Sequence, residues 1–159
     1  MATAYVGIGS NLGEPRRQIE VALDELGRVA DTRVARCSSL YRSAPVGHAK
    51  QPDFLNAVAR LETGLGAEAL LGELQAIEQR HGRERSFPNA PRTLDLDLLL
   101  HDAGEVSTAR LTLPHPRMHD RAFVLAPLAE IAPDAEVPGH GRAVELLARC
   151  AGQRIDRVD

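Results

Sequence analysis

Pro91-Arg92-Thr93-Leu94-Asp95-Leu96-Asp97-Leu98-Leu99-Leu100 alternates leucine with aspartate, and its reading decides how the chain folds. Taken as a β-strand, it sends Leu94, Leu96 and Leu98 to one face, into a core, and sets Asp95 and Asp97 together on the other. Aspartate is a poor strand residue, and two like charges roughly 7 Å apart on one face repel. A multivalent cation between them removes that cost, and hard carboxylate oxygens suit magnesium. Arg92 enters the same strand, placed to meet the anion that such a metal carries. The plain alternative is a half-buried strand with a solvated acidic face.

Immediately upstream, Arg80, Arg83, Arg85 and Arg92 crowd a short stretch with few carboxylates to pair them. Such a run is usually a solvated face. Here it leads straight into the paired aspartates, and cations beside a metal site are what polyphosphate binding requires. Lys50 is the sole lysine among 19 basic residues, and no Gly-Lys-Ser/Thr sequence exists to build a Walker A loop. If phosphates are bound, arginine does most of the work.

Further out, Ala4–Gly9 reads as a first strand, ended by turn chemistry at Ser10-Asn11-Leu12-Gly13. Pro15 opens a helix on which Ile19, Ala22, Leu23, Leu26 and Val29 recur at helical spacing. Arg33–Tyr41 and Phe54–Leu61 are expected to be two strands, joined by a loop over Arg42–Asp53. Gly66 and Ala67 start a second helix with the apolar stripe Leu70, Leu71, Leu74 and Ile77, flanked by Gln75 and Glu78. An irregular stretch over 82–91 precedes the aspartate strand, and a weaker strand is expected near Glu105–Thr112. Pro114 and Pro116 exclude regular helix around His115. A helix over Ala122–Ile131 should break or restart at Pro127, and Val144, Leu147 and Ala148 support a last short helix. The order β-α-β-β-α-β with additions points to an α+β fold with a mostly antiparallel sheet.

Composition bounds the function. The length, 159 residues, suits one domain with a single substantial core, and 43% hydrophobic with 26% charged residues is that of an ordinary globule. No apolar run approaches the roughly 20 residues that span a bilayer. The N-terminus lacks the basic and apolar regions of a signal peptide, and Cys37 and Cys150 form no motif, so a reduced cytoplasmic setting is expected. A net charge of −3 gives no general electrostatic reason to bind nucleic acid.

Two motifs fail on inspection. Gly7-Ile8-Gly9-Ser10-Asn11-Leu12-Gly13 has leucine where a dinucleotide fingerprint needs its last glycine, so a tight strand-to-helix turn is the better reading. His115 and His119 are four apart, but Pro116 between them argues against a helical metal pair. A single His115 donating to a phosphate fits better, given Arg110, Arg117 and Arg121 nearby.

Taken together, several segments resemble the 6-hydroxymethyl-7,8-dihydropterin pyrophosphokinase family of folate biosynthesis, nearly end to end. They are Gly9–Gly13, Ser39–Ser43, Gln51–Ala57, Glu78, Gly82-Arg83, Pro91–Asp97 and Leu113–His115, with the Pro-Arg-x-x-Asp-x-Asp element as the hallmark. The resemblance implies a ferredoxin-like βαββαβ core with helices packed on the sheet and extra C-terminal elements, one pyrophosphokinase domain over residues 1–159. It implies transfer of pyrophosphate from ATP to the pterin's hydroxymethyl oxygen, releasing AMP. Asp95 and Asp97 would hold two magnesium ions, and Arg83 and Arg92 would neutralise charge on the group in transfer. Leu71, Gln75, Glu78, Arg85, Arg92, Leu98, Arg110, Thr112, His115 and Arg121 would line the ATP site. Phe54 and Phe123 would sandwich the pterin, whose edge would be read by Asn56, Asp95 and the backbone of Ser43, Ala44 and Val46. The chain carries Asn89 and Ala90 where many relatives have tryptophan, and Phe54 where many have tyrosine. A monomer acting on small molecules, without nucleic acid or membrane partners, is the expectation.

Two other readings compete. A metal-dependent phosphohydrolase would use the same aspartates with water as acceptor. An RNA-binding module on a ferredoxin-like sheet would need stacked aromatics and a basic surface, and only 3% of the residues are aromatic.

Overall fold

The computed structural model describes residues 1–11, 13–44, 53–82 and 94–158. Two long strands occupy its centre: β1 (Ala2–Ser10) and β4 (Phe54–Thr63) pair antiparallel, from Ala2 opposite Thr63 to Ser10 opposite Leu55. The other edge of β1 pairs with β5 (Asp95–His101), again antiparallel. The free edge of β4 is shared by β2 (Thr32–Cys37) and β3 (Leu40–Ser43). Since every neighbour is antiparallel, β1 runs parallel to β2 and β3 with β4 between, and β4 runs parallel to β5 with β1 between. The crossovers are α1 (Pro15–Gly27) and α2 (Ala67–Arg80). This is the expected ferredoxin-like α+β core.

The expected strand over 33–41 is two strands. Their ladder with β4 is interrupted at Ser38, whose hydroxyl accepts from Val58 N at 2.9 Å while its own N–H donates to Val58 O at 2.9 Å. A side-chain oxygen has replaced a ladder carbonyl, so the backbone turns out of register there.

The remaining elements are short except one. The expected strand near 105–112 is a hairpin of β6 (Val106–Ser107) and β7 (Thr112–Leu113). Thr108 makes the reversal: its hydroxyl accepts from Leu111 N at 3.1 Å and donates to Glu68, in the first turn of α2, at 2.7 Å. α3 (Ala122–Ile131) runs unbroken through Pro127, contrary to expectation. Proline removes one helical hydrogen bond, but this helix buries residues on nearly all sides, and that burial outweighs the loss. A second hairpin, β8 (Glu136–Val137) with β9 (Gly141–Arg142), leads to α4 (Ala143–Ala148). That last helix buries Ala143 and Leu146, whereas Val144 is exposed, so its apolar face is not the one the spacing indicated. β10 (Ile155–Val158) was not expected; it pairs with β3 and completes a sheet ordered β10-β3-β4-β1-β5.

Alternation divides the sheet into two unlike faces. One face carries Ala4, Val6, Ile8, Ala57, Ala59, Leu61, Leu96 and Leu98, packed with Leu94 against Ile19, Ala22 and Leu26 of α1 and Leu70, Leu74 and Ile77 of α2. The leucine half of the opening segment therefore lies in the core, as its pattern requires. On the other face Val58 and Leu99 pack against Met118, Leu125 and Leu128 beneath α3. Leu98 and Leu99 reach opposite clusters by ordinary alternation, and a bulge that leaves Leu99 without a partner in the β1–β5 ladder sets Leu100 opposite Tyr5, so that Leu99 and Leu100 both join the α3 cluster.

Candidate active site

Asp95 and Asp97 project from β5 on the α3 side of the sheet, at the end that the helix leaves open. The register places Asp95 opposite Gly9 and Asp97 opposite Gly7. On its other edge Gly9 lies opposite Asn56, and Gly7 opposite Val58. Directly paired residues of an antiparallel ladder share a face, so one row crosses the sheet as Asp95, Gly9, Asn56 and Tyr41. The two glycines leave β1 without side chains between the carboxylates and Asn56. A Cβ on Gly9 would come within 3.2 Å of Asn56 Oδ1, and one on Gly7 within 3.5 Å of Leu99. The period-two spacing of glycines inside a strand was the signal for this close approach.

Asp97 also belongs to a cleft of about 250 Å³ on the outer side of β5. Its walls come from three separated segments: Leu71 of α2, Leu96 to Leu98 of β5, and Thr108 to Thr112 with His115 and Pro116. Leu71, Leu98, Arg110, Thr112 and His115, expected at an ATP site, are thus brought together. Gln75 is exposed one turn beyond Leu71, outside the lining. Glu78 lies beneath the wall, only 2% exposed, and its Oε2 accepts from Leu96 N at 2.8 Å. It fixes α2 to the strand that carries the aspartates. Arg121 is at the N-terminus of α3, where its guanidinium lies 5.4 Å from the centre of the Phe123 ring. Arg83, Arg85 and Arg92, and with them Asn89 and Ala90, lie outside the described residues.

His115 is held from two sides. Its N–H donates to Leu99 O at 3.1 Å, and its Nδ1 accepts from Arg117 N at 3.3 Å. Burial lowers its pKa, aided by the charges of Arg121 and Arg117 and opposed by Asp95. His119 has gone elsewhere. Its ring stacks on His140, with centroids 3.7 Å apart and planes 5° from parallel. The two histidines do not form a metal pair.

Residues expected to receive the pterin border the inner end of the aspartate row. Asn56 Nδ2 donates to Ser43 Oγ at 2.7 Å, and both residues are buried. Phe54, two residues before Asn56, is on the same face and lies beside Gly9. Phe123 is the second residue of α3, half-buried against the cluster under that helix. Ala44 is exposed just beyond β3, and Val46 lies outside the described residues. The far end of α3 is fastened by Glu130, which accepts from Tyr41 OH at 2.7 Å and from Ser39 N and Oγ at 3.1 Å. Burial pushes the Glu130 carboxyl upward, but those hydrogen bonds and Arg157 hold it below its usual range. Burial and then Glu130 push the Tyr41 phenol up to about 12.

Among the described residues no group of three or more His, Cys, Asp or Glu side chains is arranged to hold a metal. Two carboxylates on one face nevertheless fit magnesium, which binds through one or two carboxylates completed by substrate phosphates and water. Also among the described residues, no helix is long and apolar enough to cross a membrane.

Comparison with known proteins bears on the family and on the fold. The sequence profile of the 7,8-dihydro-6-hydroxymethylpterin-pyrophosphokinase (HPPK) family matches residues 5–133. The chain is 49% identical to the 2-amino-4-hydroxy-6-hydroxymethyldihydropteridine pyrophosphokinase of Pseudomonas aeruginosa, over 97% of this chain and 95% of that protein. Identity to the enzyme of the same name from Haemophilus influenzae is 42%, over 100% and 99%. Among solved structures it is similar to an HPPK-DHPS crystallised with substrates, at a TM-score of 0.74 over 93% of this chain. This chain spans 43% of that longer one, and at 12% identity the likeness bears on the fold alone.

Proposed function

Because the chain belongs to the HPPK family, we infer that it transfers the pyrophosphoryl group of ATP to the hydroxymethyl oxygen of 6-hydroxymethyl-7,8-dihydropterin. The products are AMP and the pterin diphosphate used in folate biosynthesis. The observation that carries this reading is the placement of the aspartate pair between two compartments. Asp97 lines the cleft with Leu71, Leu98, Arg110, Thr112 and His115, while Asp95 looks across Gly9 to Asn56.

In this reading the cleft takes ATP, with Arg110 and His115 directed at its phosphates, and Arg121 lies at the same end of the sheet. The pterin lies over the glycine gap, its ring between Phe54 and Phe123 and its edge toward Asn56, Ser43 and Ala44. Two magnesium ions bound by Asp95 and Asp97 and by the triphosphate would supply charge neutralisation at the β-phosphate. Asp95 and Asp97 orient the triphosphate toward the hydroxymethyl oxygen, and Glu78 keeps β5 from shifting beneath them. The arginines at 83, 85 and 92 complete the neutralisation by their position in the sequence. As the new oxygen–phosphorus bond forms, the hydroxymethyl group releases its proton to solvent, the bond from the β-phosphorus to the α–β bridging oxygen breaks, and AMP departs. Nothing in the cleft favours the phosphohydrolase alternative, which has no use for the Asn56–Ser43 pair.

Nucleotide chromatography tests the reading directly. With magnesium, ATP and the pterin, AMP should form one-for-one with pterin diphosphate. ADP as the main product would make the protein an ordinary kinase or ATPase, and AMP without pterin would make it a hydrolase.

A further inference from the structure

His115 lies between two residues that have no backbone N–H, Pro114 and Pro116, so Arg117 provides the first N–H beyond its ring. That N–H is the one that meets Nδ1, at 3.3 Å. The backbone of His115 is meanwhile tied to β5 through Leu99 O at 3.1 Å. Ring and main chain are therefore both fixed, and Nε2 makes no hydrogen bond among the described residues, although His115 lines the cleft. A ring nitrogen that accepts a hydrogen bond carries no proton, and a neutral imidazole must then bear its proton on the other nitrogen.

We propose that His115 contacts the nucleotide phosphates as a neutral Nε2–H donor, and that Arg117 is a positioning residue that sets this tautomer through its backbone N–H. The inference rests on the reading of the cleft as the ATP site, and it concerns which atom donates and in which charge state. A neutral donor binds phosphate without adding a further positive charge to a cleft that already holds Arg110, or to a ring on which the charges of Arg121 and Arg117 already act. Its hydrogen bond does not depend on capturing a proton when ATP arrives. Burial of the ring, with the charges of Arg121 and Arg117, favours the same neutral form against the opposing pull of Asp95.

Two-bond proton–nitrogen NMR spectra of the ¹⁵N-labelled protein read the tautomer directly, with the His115 signals assigned by their loss in His115→Gln. Nδ1 should show the shift of a bare imine nitrogen and Nε2 that of a protonated one, before and after addition of magnesium and α,β-methylene-ATP. Only Nε2 should move on binding. An imidazolium in the complex, or a proton on Nδ1, overturns the proposal even if the parent still forms AMP and pterin diphosphate. A parent that forms no AMP removes the nucleotide reading itself. The second arm compares two amides. Glutamine places its N–H₂ near the position of Nε2, and asparagine near that of Nδ1. His115→Asn should raise KM for ATP by about tenfold or more, the scale of one hydrogen bond to a charged group, and His115→Gln by clearly less. Equal losses, or the reverse order, overturn the assignment.

Discussion

The two faces of one sheet are made by the same strands and put to opposite uses. On the face under α1 and α2, Ala4, Val6 and Ile8 of β1, Ala57, Ala59 and Leu61 of β4, and Leu96 and Leu98 of β5 form a closed aliphatic core. On the other face the intervening positions hold Gly7, Gly9, Asn56, Asp95 and Asp97, while Tyr5, Val58, Leu99 and Leu100 pack beneath α3. The closed face stabilises the strands well enough that the open face can carry repelling carboxylates and missing side chains. Stability and chemistry are thereby separated by a step of one residue along each strand. That separation makes distinct predictions for changes on either side.

The largest effect belongs to the open face. Asp97→Ala should retain the fold, because it removes a charge from a strand face, yet lower turnover by on the order of 10³-fold, by analogy with loss of a preorganised electrostatic contact. Calorimetry alongside AMP release checks both halves, and near-parental turnover in a folded variant would remove Asp97 from the site. On the closed face, Leu74→Ala should cost about 2–5 kcal/mol of stability and leave turnover per folded molecule nearly unchanged. Urea unfolding and active-site titration measure this. A large loss of turnover in the folded fraction would mean that the faces are not independent.

Smaller effects sharpen the boundary between substrate contact and cover. Phe123→Ala should weaken pterin binding by about 1–3 kcal/mol, by analogy with base–aromatic stacking, while ATP affinity changes far less. Equal losses for both substrates in a binding titration would return Phe123 to a packing role. Glu130→Gln should lower stability at neutral pH by about 1 kcal/mol, since it weakens hydrogen bonds made to a charged acceptor. The folded Glu130 carboxyl is held below its ordinary value, so its contribution is full above that ordinary value and is lost as pH falls through the lower folded one. Melting curves of parent and variant should therefore converge on acidification, and a constant gap would show that Glu130 acts by packing alone. Gly9→Ala should give the smallest change, a several-fold rise in KM for the pterin. Its Cβ would press on Asn56 Oδ1 at 3.2 Å, and a side-chain amide can yield by a few tenths of an ångström.

Much of the closed face was legible because period two and period 3.6 are local properties. Leu94, Leu96 and Leu98 were assigned to the core from spacing alone, as were Ile19 and Leu26 of α1 and Leu70 and Leu74 of α2. Where side-chain hydrogen bonds replaced backbone ones, local pattern failed. Ser38 divides an apparently continuous strand, and Thr108 turns another into a hairpin. Pro127 misled in the opposite sense, since a local penalty was overcome by burial that no window of sequence contains.

By itself the sequence determined the alternation that sets Asp95 and Asp97 on one face, the two crossover helices, and the arginine-rich character of the chain. It also placed five residues of the cleft, through their resemblance to a family. Only the tertiary structure decided that Leu71, Asp97 and His115 share one cleft, that Gly7 and Gly9 open the floor beside the carboxylates, and that Arg117 reaches the ring of His115. The reason is physical. Periodicity assigns a residue to a face, but strand register and the packing of separate segments decide which residues on that face meet.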